Sequence, residues 1–199
     1  GTILVLIGLL FKVGAAPFHA WTPDVYQGAP TPITGFMAAA TKLAAFAAML
    51  RLVYVALPGT AWDIAPVMWV IIGLTMAAGT FVGIVQSNVK RMLAYSSVAH
   101  AGFVLLGVFS MTVSATPSVL FYLLAYGIAT VGAFGIVTLV REKDPNGFVT
   151  GEALELKQWA GLGKRSPLLA AAMTIFLLSF AGIPLTAGFV GKLTVFISA

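Results

Sequence analysis

Six apolar runs, each near the ~20 residues that cross the hydrocarbon core of a bilayer as a helix, make up most of this chain. They fall at about 1–16, 32–57, 65–86, 91–111, 117–140 and 167–198. Lipid offers no hydrogen bonds to the backbone, so runs of this kind fold as helices that bond internally. The predicted fold is therefore all-α, a polytopic membrane helix bundle. Pro32, Pro66, Pro117 and Pro167 stand near the starts of four runs, where a missing backbone N–H costs nothing. Two runs carry a break. The first stops at Gly14-Ala15-Ala16-Pro17, and the sixth, too long for one straight span, holds Gly182-Ile183-Pro184 in its middle. Proline removes a donor and crowds the carbonyl one turn back, and glycine accepts the resulting geometry, so discontinuous helices are expected at both places. A pair of interrupted segments is also a hint of the inverted repeats of transporter folds.

Charge then orients the bundle. Only 9% of residues are charged against about 25% in soluble domains, 60% are apolar, and mean hydropathy is +1.02. The net charge of +5 would suggest a nucleic-acid partner in a soluble protein. Here Lys90, Arg91, Arg141, Lys143, Lys157, Lys164 and Arg165 all sit in loops after odd-numbered runs, and the loops after runs two and four carry no lysine or arginine. By the positive-inside rule the loops at 17–31, 87–91 and 141–166 face the cytoplasm, and no nucleic acid is implied. In the longest loop, 141–147 reads as turn-rich and solvated, and Glu152–Trp159 as a short helix at the membrane interface. Absence of cysteine excludes disulfides, zinc–thiolate sites and iron–sulfur clusters on this chain, and two histidines 81 residues apart do not point to a haem pair or metal cage. No domain boundary is visible within 1–199. Both ends lie inside apolar runs, as expected of one membrane domain cut from a longer protein.

A few polar residues lie inside the apolar runs. A charge at bilayer depth costs about 2.5–3.5 kcal/mol. Lys12 stands beside the first break, where freed carbonyls suit an ammonium; the alternative is a lysine that snorkels to the interface. Lys42 is eleven residues into its run, with Ala38, Ala39, Ala45 and Phe46 on its face and Gly35 one turn back. Small neighbours admit a second helix closely, so Lys42 is expected to face the bundle interior. Lys192 follows the second break, flanked by Gly188 and Gly191, and reads either as functional or as an ordinary lysine at a helix end. His100 shares a face with Ser96 and Ser97 and suits either a proton relay or hydrogen-bonded packing. Tyr122, Tyr126 and Thr130 form a hydroxyl stripe of the kind that more often glues helices together. Asp24 reads as a turn or cap residue. No nucleophile–base pair, phosphate-binding glycine loop or zinc-protease motif is present, so hydrolytic and phosphoryl chemistry are unsupported.

The blocks FKVGAAPFHAWTPDVYQGAPTPIT, ATK, KRMLAYSSVAHAGF and LSFAGIPLTAGFVGK closely resemble the subunit N family of bacterial NADH-quinone oxidoreductase, antiporter-like membrane subunits of respiratory complex I. The likeness covers nearly the whole chain and is weakest at 58–65 and 141–155. PFHAWTPDVYQGAP separates subunit N from the related subunits L and M and from multi-subunit sodium/proton antiporters; the equivalent subunit of the photosynthetic NDH complex is the nearest rival. The resemblance implies an antiporter-like fold in the bacterial inner membrane and a proton path along a polar axis, with relay residues at Lys12, Lys42, Lys192 and His100. It also implies a longer subunit of about fourteen helices, with a glutamate on an earlier helix paired with Lys12. Partners would be the other membrane subunits of complex I and the bilayer. No cofactor is expected on this chain; NADH, FMN, iron–sulfur clusters and quinone would bind other subunits.

Such a path is physically workable. A free lysine side chain titrates near 10.4, so a lysine that exchanges protons near neutral pH needs surroundings that disfavour its charge by roughly 4 kcal/mol. A dry bundle holding several cations supplies that. Two other functions fit the same residues: a secondary cation/proton antiporter without a redox partner, and a structural membrane subunit whose lysines serve packing.

Overall fold

The computed structural model describes residues 1–56, 59, 61–143 and 148–199. Helix α1 (Thr2–Val13) ends on Gly14, whose φ of 74° is left-handed backbone that glycine adopts without strain. The Gly14 N–H bonds Phe11 O at 3.1 Å and the Ala15 N–H bonds Leu10 O at 2.9 Å, closing the helix end. Side chains take up other groups freed by the break. Trp21 Nε1 donates to Phe11 O at 2.9 Å, and the Ala16 N–H donates to Thr75 Oγ1 at 3.0 Å. After the turn comes a short helix, α2 (Trp21–Gly28), so the stretch 17–31 expected as a loop is largely helical. α2 packs against α6 (Val89–Val108), with Thr22 and Tyr26 buried.

A continuous helix follows over Thr31–Ala56. It is α-helical at α3 (Thr31–Phe36) and α4 (Lys42–Arg51), with π-helical turns at Met37–Thr41 and Leu52–Ala56. Then come α5 (Ala61–Ile84), α6 and α7 (Ala115–Leu139). These start two to four residues before the predicted runs. At α6 the cause is Asn88, whose side chain caps the helix by accepting from the Arg91 N–H at 3.1 Å. That cap puts Lys90 in the first turn of a membrane helix and 3% exposed, so it is no loop charge.

The loop 141–166 also differs from expectation. Strands β1 (Arg141–Lys143) and β2 (Val149–Glu152) pair as an antiparallel hairpin, a small addition to an otherwise helical fold. The rest of the expected solvated turn, 144–147, lies outside the described residues, as does Leu57 at the end of run two. The expected interfacial helix is one 3₁₀ turn, Leu156–Trp159, closed by a capping box between Glu155 and Gln158. After a single turn, α8 (Leu162–Arg165), the last run appears as two half-helices, α9 (Pro167–Ala181) and α10 (Ala187–Ser198). The second break thus stands where predicted, at Gly182 with φ 78°. Of the six expected spans, four are single helices long and apolar enough to cross a membrane: Thr31–Ala56, Asp63–Ile84, Val89–Val108 and Ala115–Leu139. The first and sixth runs are built from shorter apolar helices.

α6 is the hub, and its sequence explains why. It presents small residues all round: Ala99 and Gly102 meet α5 so closely that a Cβ on Gly79 would collide with the Ala99 backbone. Apolar packing divides into two clusters. One holds Leu10, Phe46, Met49, Ile72, Leu105 and Val195; the other holds Tyr26, Ala38, Leu93, Phe134, Val137 and Met173. Along α6, residues up to Ala94 belong to the second cluster and residues from Ala101 to the first. Ser97 and His100 fall at the seam between them. So does Lys42, between Ala38 and Ala45 on its own helix.

Candidate functional site

The seam is where buried polar groups meet. The Lys42 side chain is 3% exposed and follows directly on the π turn Met37–Thr41. Its Nζ donates to Ser97 O at 2.8 Å and also to Ser97 Oγ. A buried ammonium costs several kcal/mol, which charge-assisted hydrogen bonds offset in part. The hydroxyls of Tyr26 and Tyr126 face the same serine. Ser97 is thus a partner of Lys42; its shared face with His100 was legible in sequence, its bond to Lys42 was not.

One turn along α6 stands His100, 4% exposed. Its Nδ1 is hydrogen-bonded to the Tyr122 hydroxyl, and its ring lies 4.8 Å from that of Tyr126 and 5.5 Å from that of Phe180. The stripe on α7 therefore divides: Tyr122 is bonded to His100, while the buried Thr130 Oγ1, which the Tyr126 hydroxyl faces, has no partner at hydrogen-bond distance among the described residues.

Lys192 reaches back from α10 across the second break. Its Nζ donates to Phe180 O at 2.6 Å and Ala181 O at 3.2 Å, and lies 4.7 Å from the Phe103 ring centroid. These are end carbonyls of α9, which carry the negative end of the helix dipole and lack helical partners. The half-helix break thus supplies two carbonyl acceptors to the Lys192 ammonium.

Two cavities flank His100. A small one, about 10 Å³, lies between Lys42, His100, Phe46 and Tyr126, room for about one water. A larger cleft, about 410 Å³, is lined by His100, Lys192, Thr80, Ser96, Phe103 and Phe180. His100 is common to both, with Lys42 on one side and Lys192 on the other. Both lysines are charged neighbours of the imidazole.

Lys12 does not join this group. It is exposed on the last turn of α1 and has no hydrogen-bond or ion-pair partner among the described residues. Asp24, expected as a turn or cap residue, accepts from Arg91 Nη1 at 2.6 Å on the surface of α2. No group of three or more His, Asp or Glu able to hold a metal occurs among the described residues.

The family model for the NADH:quinone oxidoreductase/Mrp antiporter membrane region matches residues 1–199. The chain is 65% identical, over its full length, to 38% of NADH-quinone oxidoreductase subunit N of Beutenbergia cavernae. Among solved structures it is similar to a chain of respiratory complex I from Thermus thermophilus with bound aureothin, with 37% identity, a TM-score of 0.82, and coverage of 100% of this chain and 42% of that one. It is also similar to a chain of the Mrp complex from Dietzia sp., with 29% identity, a TM-score of 0.87, and coverage of 100% and 36%. The chain spans little more than a third of the length of the curated relatives it matches. With the match running from end to end, this chain belongs to the NADH:quinone oxidoreductase/Mrp antiporter membrane family.

Proposed function

We propose that the chain is part of a proton-translocating membrane subunit of a bacterial NADH-quinone oxidoreductase, in which protons pass between Lys42, His100 and Lys192. The observation that carries this reading is the position of His100, which borders both cavities and has one buried lysine on each side. Lys42, held by Ser97, gives up a proton through the one-water cavity to the imidazole; the ring, whose Nδ1 is bonded to the Tyr122 hydroxyl, passes a proton on toward Lys192 in the cleft. Like charges repel strongly in a dry seam, so a proton arriving at one group favours release from the next. Lys12 is kept as the outer member of the line, on the exposed face of α1 beside the first break.

Redox chemistry belongs elsewhere in such a complex. NADH, FMN, iron–sulfur clusters and quinone would sit in other subunits, and this chain's partners would be the neighbouring membrane subunits in the bacterial inner membrane, with 87–91 and 141–166 toward the cytoplasm. A second reading, a cation/proton antiporter subunit, is favoured by the likeness to the Mrp chain. The two separate in proteoliposomes holding the full-length protein: proton flux that requires quinone reduction in the assembled complex supports the first, and sodium-dependent flux without a redox partner supports the second.

A further inference from the structure

One buried charge lies away from this line. Lys90 is the second residue of α6 and 3% exposed. It is unfavourable twice over, desolvated and at the positive end of a helix dipole. Its Nζ donates to Ala29 O at 2.7 Å and lies 4.0 Å from Glu152 Oε2. The same carboxylate oxygen accepts from the hydroxyl of Thr31, the first residue of the helix that carries Lys42. Thr31 is itself fully buried. The hairpin end that bears Glu152 is fastened to the start of α6 by Val89 N–H to Leu154 O at 2.7 Å and Leu156 N–H to Ser87 O at 2.9 Å. Three segments far apart in sequence thus meet at one carboxylate: the α2–α3 junction, the first turn of α6 and strand β2.

The same two helices meet again at Lys42 and Ser97. Between these fixed points, on the Lys42 helix, lies the π turn Met37–Thr41. A π turn holds an extra residue relative to an α-helix, and a shift of one residue rotates every later side chain by about 100°. The π turn therefore sets where Lys42 points, and it keeps its register only while both ends are held.

We infer that Glu152, Lys90 and Thr31 form a clasp by which the β1–β2 hairpin holds the Lys42 helix in π register, which makes them positioning residues for proton transfer at Lys42. This rests on the reading of Lys42 as a relay group. Releasing the clasp lets Met37–Thr41 relax toward α-helix and turns the ammonium away from Ser97.

The test uses the full-length subunit in the assembled complex, with Glu152→Ala, Thr31→Val and Thr31→Ser. Thr31→Val keeps the shape and removes the hydroxyl; Thr31→Ser keeps the hydroxyl. Hydrogen exchange read by mass spectrometry over 31–42 rises about tenfold or more in Glu152→Ala and Thr31→Val, remains near wild type in Thr31→Ser, and is unchanged over 101–108 in all three. Pumping per assembled complex falls about fivefold in the first two and is retained in Thr31→Ser. If Glu152→Ala does not assemble, the threonine pair decides alone. Unchanged exchange over 31–42, or raised exchange with normal pumping, overturns the clasp. Lys42→Ala measured alongside keeps the two ideas apart: normal pumping there overturns the relay reading, while exchange over 31–42 still decides whether Glu152 holds the π turn.

Discussion

Replacing Lys42 by methionine removes the charge and keeps most of the volume. Structurally the change is close to neutral. The protein loses two charge-assisted hydrogen bonds to Ser97, about 1.5–3 kcal/mol each, and is relieved of a desolvation cost of several kcal/mol. Ser97 Oγ keeps hydroxyl neighbours in Tyr26 and Tyr126, so the complex is expected to assemble. Function fares differently. With no amine at position 42, a proton crossing the one-water cavity toward His100 must rest on the buried water, at a penalty of about 4 kcal/mol, or about a thousandfold in rate. Lys42→Arg gives the sharper contrast. Arginine keeps the charge and the bonding capacity but does not release a proton, and its broader head overpacks a site with about 10 Å³ to spare, at about 1–3 kcal/mol. The assay is pumping into proteoliposomes by the purified complex, read with a pH-sensitive dye beside quinone reduction and subunit content. Both variants should assemble, fail to pump and reduce quinone slowly. A fully assembled Lys42→Arg complex pumping at the normal rate would refute the reasoning, leaving Lys42 as a fixed counter-charge.

Other outcomes follow from neighbouring contacts. His100→Ala should slow pumping about a hundredfold, the scale of a lost proton-transfer group, while Tyr122→Phe, which removes one hydrogen bond to the ring, should slow it only about fivefold. Gly182→Ala strains a residue at φ 78° by about 1–2 kcal/mol and sets a Cβ 3.0 Å from Lys192 Cδ; pumping should fall even where thermal stability of the complex changes little. Gly79→Leu wedges α5 off α6 against the Ala99 backbone and should cost about 1–3 kcal/mol or more, seen as loss of assembled subunit on a native gel. A thiol reagent that does not cross the membrane should label Lys157→Cys in inverted vesicles and not in intact cells; the reverse pattern would invert the assigned topology.

Sequence alone decided the class and the breaks. Apolar runs of spanning length allow only helices in lipid, and Gly14 and Gly182 each end a helix in left-handed backbone that glycine adopts without strain, with a proline two or three residues on that cannot continue the helix. Lys42 was legible as an interior residue, since its face carries alanines that admit a neighbour closely. Its partner was not: Ser97 lies 55 positions away and is brought to Lys42 by the crossing of two helices. The π turn before Lys42 has no signature in its run of alanines. Lys90 shows the same limit. Beside Arg91 in a basic pair it reads as a loop charge, and only the Asn88 cap together with a strand arriving from 62 residues further on buries it against Glu152. Lys12 and Lys192 look alike in sequence, each next to a break, yet one is exposed and the other is bonded to the carbonyls the break sets free. Local chemistry fixes where a membrane helix stops; which freed group meets which charge depends on how the helices pack.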